Sequence, residues 1–234
     1  MTVEEIQNGQ LFLIDKPLDW TSFDVVNKIR WNLRKAYKIK KIKVGHAGTL
    51  DPKATGLLIV CCGKMTKQID LIQAEEKTYT GTIKLGATTP TYDLESEEDH
   101  HFAIDHISPE YIHQTTAQFL GEIEQFPPMH SAIKIDGKRL YELARAGETA
   151  ELKPRKVQIK KFEITKIELP YVDFEIECSK GTYIRSIAND FGKALNSGGY
   201  LTALRRTKIG DYSVANSNNE VLDLTYFEQF STQD

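Results

Sequence analysis

VDFEIECSKGTYIRSIANDFGKAL, residues 172–195, decides what kind of fold this chain can adopt. Val172, Phe174, Ile176 and Cys178 alternate with Asp173, Glu175 and Glu177, the period of a strand with one buried and one wet face. Gly181 and Thr182 then lead the chain through Tyr183 to Arg185 and into a helix predicted to end near Leu195. A strand wet on one side suits an antiparallel sheet rather than the doubly covered sheet of a βαβ repeat.

The remaining segments agree with that reading. Leu11 to Ile14 is a short apolar run before Asp15-Lys16-Pro17, read as a strand ending in a turn. Thr21 or Ser22 can cap a helix whose buried stripe is Val25, Val26, Ile29 and Leu33. Leu57 to Cys62 is a continuous apolar run of strand length, which puts Cys61 and Cys62 on opposite faces. Thr78 to Gly86 is β-rich but mostly polar, hence a part-exposed strand, and the acidic residues 93–106 read as a solvated connection. Ser108-Pro109-Glu110 starts a helix that should run to about Leu120. Another helix, Arg139 to Ala146, should stop at Gly147, and Val157 to Leu169 is a long strand. With no regular alternation, the expected fold is α+β, a mixed, largely antiparallel central sheet with flanking helices.

Composition narrows the function. Apolar content of 40% and charged content of 27% are those of a globular protein, and no apolar run approaches the roughly 18 residues of a membrane span. The polar start MTVEEIQNGQ does not read as a secretory signal. Three cysteines without a CxxC spacing imply a reducing, cytoplasmic setting without disulfides or structural zinc. The net charge of −3 argues weakly against nucleic acid, yet eight basic residues lie between Lys28 and Lys43 with no acidic residue among them. Such a block could neutralise several phosphates, or could be a solvated helix face and loop.

GHAGTLDPKATG, residues 45–56, is where chemistry concentrates. A phosphate cradle is excluded: the GKMT run at 63–66 needs a glycine five residues before Gly63, where Leu58 stands. His100, His101, His106 and His113 match no metal-ligand spacing and read as a surface cluster. A lone carboxylate, Asp51, suits attack on or stabilisation of the anomeric carbon of a sugar, in a reaction without a water to activate. By itself, Asp-Pro could equally be a turn opener.

This loop closely resembles the catalytic loop of the TruB family, bacterial tRNA pseudouridine synthases that isomerise uridine 55 in the T loop. GQLFLIDKPLDWTSFDVV (9–26) resembles the family's Lys-Pro motif, and KTYTGTIKLGATTPTYD (77–93) its tyrosine-bearing strand. QFPPMHSAIKIDGKRLYELARAG (125–147) is similar to its RNA-gripping insertion. CSKGTYIRSIANDFG (178–192) and LTALRRTKIG (201–210) are similar to its arginine and leucine motifs. The resemblance implies a pseudouridine synthase-like fold in which Asp51 is the catalytic carboxylate and Arg185 its ion partner. It implies that Tyr79 stacks on the target base and helps move a proton, that Tyr183 and Leu204 line the substrate pocket, and that His46 contacts RNA near the vacated stack. Lys16 with Pro17 would support the loop, and Lys64 would be a candidate phosphate contact. His130 stands where the family pattern has a tyrosine.

The expectation is one catalytic domain over residues 1–234, with the insertion at 127–153 and a short extension at 211–234 in place of a PUA domain. The enzyme would be cytoplasmic and monomeric, without cofactor, metal, membrane or obligate protein partner, and would act on the T arm of tRNA by base flipping. A covalent sugar adduct and a glycal route both remain open. The rival readings are an RNA-binding or RNA-folding protein on the same scaffold, and a synthase for another RNA.

Overall fold

A computed structural model describes residues 1–131, 134, 135, 137–147 and 152–231. Helix α1 (Val3–Asn8) opens on a capping box between Thr2 and Glu5 and leads into strand β1 (Gln10–Lys16). Helix α2 (Ser22–Ala36) is capped by Thr21, whose side chain takes the amide of Asp24 while Asp24 reaches back. Strands β2 (Val44–His46) and β3 (Ala54–Cys62) flank the glycine loop, followed by a 3-10 turn and α3 (Ile69–Ala74). Strand β4 (Lys77–Leu85) precedes a small two-stranded ribbon, β5 (Ala87–Thr88) with β6 (His100–His101). Helix α4 (Pro109–Thr116) starts on Ser108 and a first-turn proline, and strand β7 (Gly121–Gln125) follows.

The insertion holds a second ribbon, β8 (Lys134–Ile135) with β9 (Lys138–Arg139), and helix α5 (Leu140–Arg145). The rest of that expectation, residues 132, 133, 136 and 148–151, lies outside the described residues. Strands β10 (Arg155–Glu168) and β11 (Tyr171–Cys178) form a hairpin, and helix α6 (Ile184–Ala194) follows. Strands β12 (Gly199–Ile209) and β13 (Tyr212–Ser213) and helix α7 (Leu224–Ser231) finish the described chain. Within the segment expected as a short extension lie a 3-10 turn, Asn219–Leu222, and α7.

The chain divides into two compact units, Met1–Tyr79 with Arg205–Asp234, and Thr80–Leu204. Strand order in the first is β1, β3, β12, β4, and in the second β12, β4, β11, β10, β7, so β4 and β12 contribute residues to both. The β1/β3, β2/β3, β7/β10, β10/β11 and β12/β13 pairings are all antiparallel. This is the α+β architecture with a largely antiparallel sheet that the sequence implied.

Within the first unit, β3 is buried on both faces. Leu58, Val60 and Cys62 pack with α2's Val25, Val26, Ile29 and Leu33, with Phe12 and Ile14, and with Phe227. Leu57, Ile59 and Cys61 meet Ala47, Ile72 and Ile209 on the other side. Alternation on a doubly covered strand therefore separates the two cysteines, as expected. In the second unit Phe162 lies 5.9, 6.1 and 5.2 Å from the rings of Phe119, Phe174 and Phe191, and the apolar face of β11 is buried as predicted.

Helix α7 is fixed by Phe227, whose fully buried ring meets Phe12 at 6.0 Å and Tyr37 at 6.4 Å. Phe227→Ala should destabilise the protein by about 3–5 kcal/mol through cavity formation. A urea midpoint unchanged from wild type would show that α7 is not integral to the first unit.

Candidate active site

Residues Gly48 to Pro52 leave no backbone carbonyl unused. The Gly48 and Thr49 oxygens accept from the two terminal nitrogens of Arg206 at 3.0 and 3.4 Å. Ser22 Oγ donates to Leu50 O at 3.0 Å and accepts from Leu50 N at 2.8 Å. Asp51 O takes the amide of Ala54, closing the turn, and Pro52 O takes the amide of Asp19 at 2.9 Å. Five consecutive peptide groups are thus fixed, and the half-buried Asp51 side chain projects from a backbone with little freedom.

Two buried cations carry much of this. Arg206, at 1% exposure, also donates from Nε to Leu57 O at 2.8 Å, so one guanidinium joins the loop's entry to its exit. Its guanidinium presents its donors in one planar fork, which orders the carbonyls it meets. Gly56, at φ +98°, lies against the same residue: a Cβ there would stand 2.7 Å from Arg206 N and closer still to its carbonyl oxygen. Lys16 is fully buried, and its ammonium donates to Pro17 O at 2.9 Å, Trp20 O at 2.5 Å and Pro52 O at 3.4 Å. Burial lowers its pKa to about 8, against the opposing pull of Asp51, Asp19 and Asp24. Lys16 thus ties the Pro52 carbonyl of the loop to those of Pro17 and Trp20.

His46 is half-buried at the end of β2. Burial first, and then the nearby Arg206 charge, hold its pKa below the ordinary histidine range, while a bond to the Gly48 backbone opposes them. Its ring is neutral at physiological pH, and its buried Nδ1 has no hydrogen-bond partner among the described residues. Tyr79 is buried on β4 at the boundary of the first unit. Lys64 lies on the surface, bonded to Asn8 Oδ1 at 2.8 Å.

The second unit carries Arg185, Tyr183 and Leu204. Arg185 is 5% exposed on the first turn of α6 and donates to Thr91 O at 3.2 Å and His130 O at 3.0 Å. Its Nε lies 3.7 Å from the buried carboxylate of Asp93. The expectation of a solvated acidic connection from residue 93 onward is corrected here. Asp93, at 4% exposure, is drawn inward by Arg185 and by the amide of Glu95 on its other oxygen, whereas Leu94, Glu95, Glu97 and Asp99 are exposed. His130 meets Arg185 through its carbonyl, so the histidine in place of tyrosine leaves that contact unread. Tyr183 caps α6, with its amide and carbonyl both bonded to the side chain of buried Gln125 at 2.7 and 3.1 Å. Leu204 is half-buried on β12.

Sequence reading missed Ser22 as a clamp, Asp93, Gln125 and Arg206. Thr21 is the cap; Ser22 faces inward to Leu50. Arg206 follows Arg205, which instead forms a bidentate pair with Asp15 at 2.9 and 2.6 Å. Alternation on β12 was the available signal, since adjacent strand residues face opposite sides.

Comparison with known proteins then fixes the class. The family description "TruB family pseudouridylate synthase (N terminal domain)" matches residues 34–184. The chain is 60% identical over 98% of its length, and 99% of the relative's, to tRNA pseudouridine synthase B of Flavobacterium johnsoniae. It is 52% identical to the protein of that name from Phocaeicola vulgatus, over 88% of this chain and 87% of that one. Among solved structures, a chain of a Cbf5-Nop10-Gar1 complex superposes with a TM-score of 0.70 at 29% identity, over 97% of this chain. This chain spans 57% of that longer one. The protein belongs to the TruB family of pseudouridylate synthases.

Two outcomes test the cation clamps. Arg206→Met strips donors from three backbone carbonyls, that of Leu57 buried, and should lower unfolding free energy by roughly 2–5 kcal/mol, read from denaturant unfolding. For Lys16 the folded pKa of about 8 lies below the unfolded value of 10.5. Between those values the unfolded chain binds more protons, so this residue's contribution to stability rises with pH across that window and is flat below it. The stability difference between wild type and Lys16→Met should climb from pH 8 to 10.5, and a level difference would refute the assignment.

Proposed function

We propose that this protein isomerises uridine 55 in the T loop of tRNA to pseudouridine. The observation that carries the reading is the seat of Asp51: a carboxylate on a turn whose every carbonyl is held, in a chain of the TruB family. Asp51 acts at C1′ of a flipped uridine. The N1–C1′ bond breaks, the uracil turns while enclosed, and a C5–C1′ bond forms. The C5 proton leaves to water, and N1 takes up a proton, so atoms and charge balance.

Arg185 is held in place by Asp93 and by the Thr91 and His130 carbonyls. The face of Tyr79 stacks on the target base, worth roughly 1–3 kcal/mol, and partly offsets the few kcal/mol of extrusion. Tyr183 and Leu204 line the base pocket, and the neutral His46 ring contacts RNA beside the vacated stack. The residues form one catalytic domain acting as a monomer in the cytoplasm on the T arm of tRNA. No helix among the described residues is long and apolar enough to cross a membrane.

Tritium release from C5-labelled uridine tests reaction and substrate together, in a T-arm minihelix and in full tRNA. Wild type should release label from position 55 alone. Asp51→Asn should abolish release while RNA binding stays within a few-fold. Undiminished turnover by that variant would exclude Asp51 as the catalytic group.

A further inference from the structure

Helix α2 buries one stripe and leaves the opposite one unusually equipped. Trp31 is 50% exposed, with the Lys28 and Lys35 ammonium groups 5.5 and 4.8 Å from its ring centre. Phe23 is 59% exposed, with the Arg30 guanidinium 5.9 Å from its ring. Residues 28, 31 and 35 are spaced i−3 and i+4 about Trp31, so they share one side of the helix. Two exposed aromatic rings, each accompanied by cations, stand two turns apart on a surface that supports no core.

The loop after the helix continues the strip. Tyr37 and Ile39 are buried and Ile42 packs against the same core, while Lys38, Lys40, Lys41 and Lys43 are exposed. The Lys43 carbonyl accepts from the amide of Gly63, which holds the loop's end. Its apolar residues thus anchor the loop and turn its lysines outward. Ser22 in the first turn of α2 bonds Leu50, so the strip starts beside the Asp51 loop and leads away along α2 toward its C-terminal lysines. At 1.5 Å per residue, the 15-residue helix alone extends roughly 22 Å.

We propose that the exposed face of α2 and the lysine loop form a second RNA-contact surface, which holds tRNA outside its T arm. Eight positive charges of one sign complement a phosphate backbone, and a ring flanked by cations suits an unpaired base with its phosphates. The strip's length exceeds what a flipped nucleotide and its neighbours need. This inference rests on the tRNA reading above and names a part of the substrate which that reading leaves unplaced.

The test compares dissociation constants for full tRNA and a T-arm minihelix across a salt series. The proteins are wild type, the triple variant Lys28→Gln/Arg34→Gln/Lys35→Gln, and Trp31→Ala, with thermal unfolding to show that each is folded. The triple variant should bind full tRNA about tenfold more weakly, and its log–log salt slope should fall by about 2–3, near 0.9 per lost phosphate contact. Trp31→Ala should weaken full tRNA about fivefold or more. Minihelix affinity should stay within about twofold of wild type. Equal losses on both RNAs, or no loss on either, would overturn the proposal. Tritium release by wild type from the minihelix reads the catalytic assignment separately, because its failure would leave the binding comparison intact.

Discussion

A buried guanidinium with backbone carbonyls as its hydrogen-bond acceptors is the constraint on which the Asp51 turn depends. Arg206 reaches Gly48, Thr49 and Leu57, residues on both sides of Asp51. Removing a cation from water is expensive, and carbonyl dipoles offset that cost only when aimed at the charge. The turn cannot move without losing those dipoles, so the charge and the loop geometry hold each other in place. Gly56 makes this approach possible, since any side chain there would collide with the Arg206 backbone.

The electrostatics of the first unit follow from the same placement. Lys16 and Arg206 are both buried against the loop, and the Lys16 ammonium feels the charge of Asp51. Their effects on other groups differ in a way that suits the division of labour. Arg206 adds to burial in holding the pKa of His46 below the ordinary histidine range. Lys16 surrenders part of its own basicity to burial, while the charge of Asp51 works to retain the proton.

Much of this was legible in the sequence, because periodicity reports burial. The apolar run of β3, the stripe of α2 and the alternation of β11 each gave an element with the correct buried face. Resemblance of motifs drew attention to Asp51 and Lys16 without showing the carbonyls that Lys16 meets. What stayed hidden were the polar groups serving other residues. Asp93 sits at the head of an acidic run, and composition averaged it with its solvated neighbours. Gln125 and Ser22 work through backbone atoms of residues 58 and 28 positions away, which no local pattern records. Thr21 and Ser22 are equal as caps by residue type, and only the direction of each side chain separates them.

A rigid turn also limits what the site itself can select. Its backbone is fully committed, so it cannot adjust to different RNAs, and discrimination must come from surfaces that meet the rest of the substrate. The charge distribution has the right form for that task. The whole chain carries −3, so an RNA approaching at random meets weak repulsion over most of the surface. The stretch from Lys28 to Lys43 carries eight positive charges and no negative one. Attraction confined to one strip orients the encounter as well as strengthening it, since only poses that place phosphates along the strip escape the repulsion. Net acidity, which at first argued against nucleic acid, then becomes part of how the protein would tell a productive approach from an unproductive one.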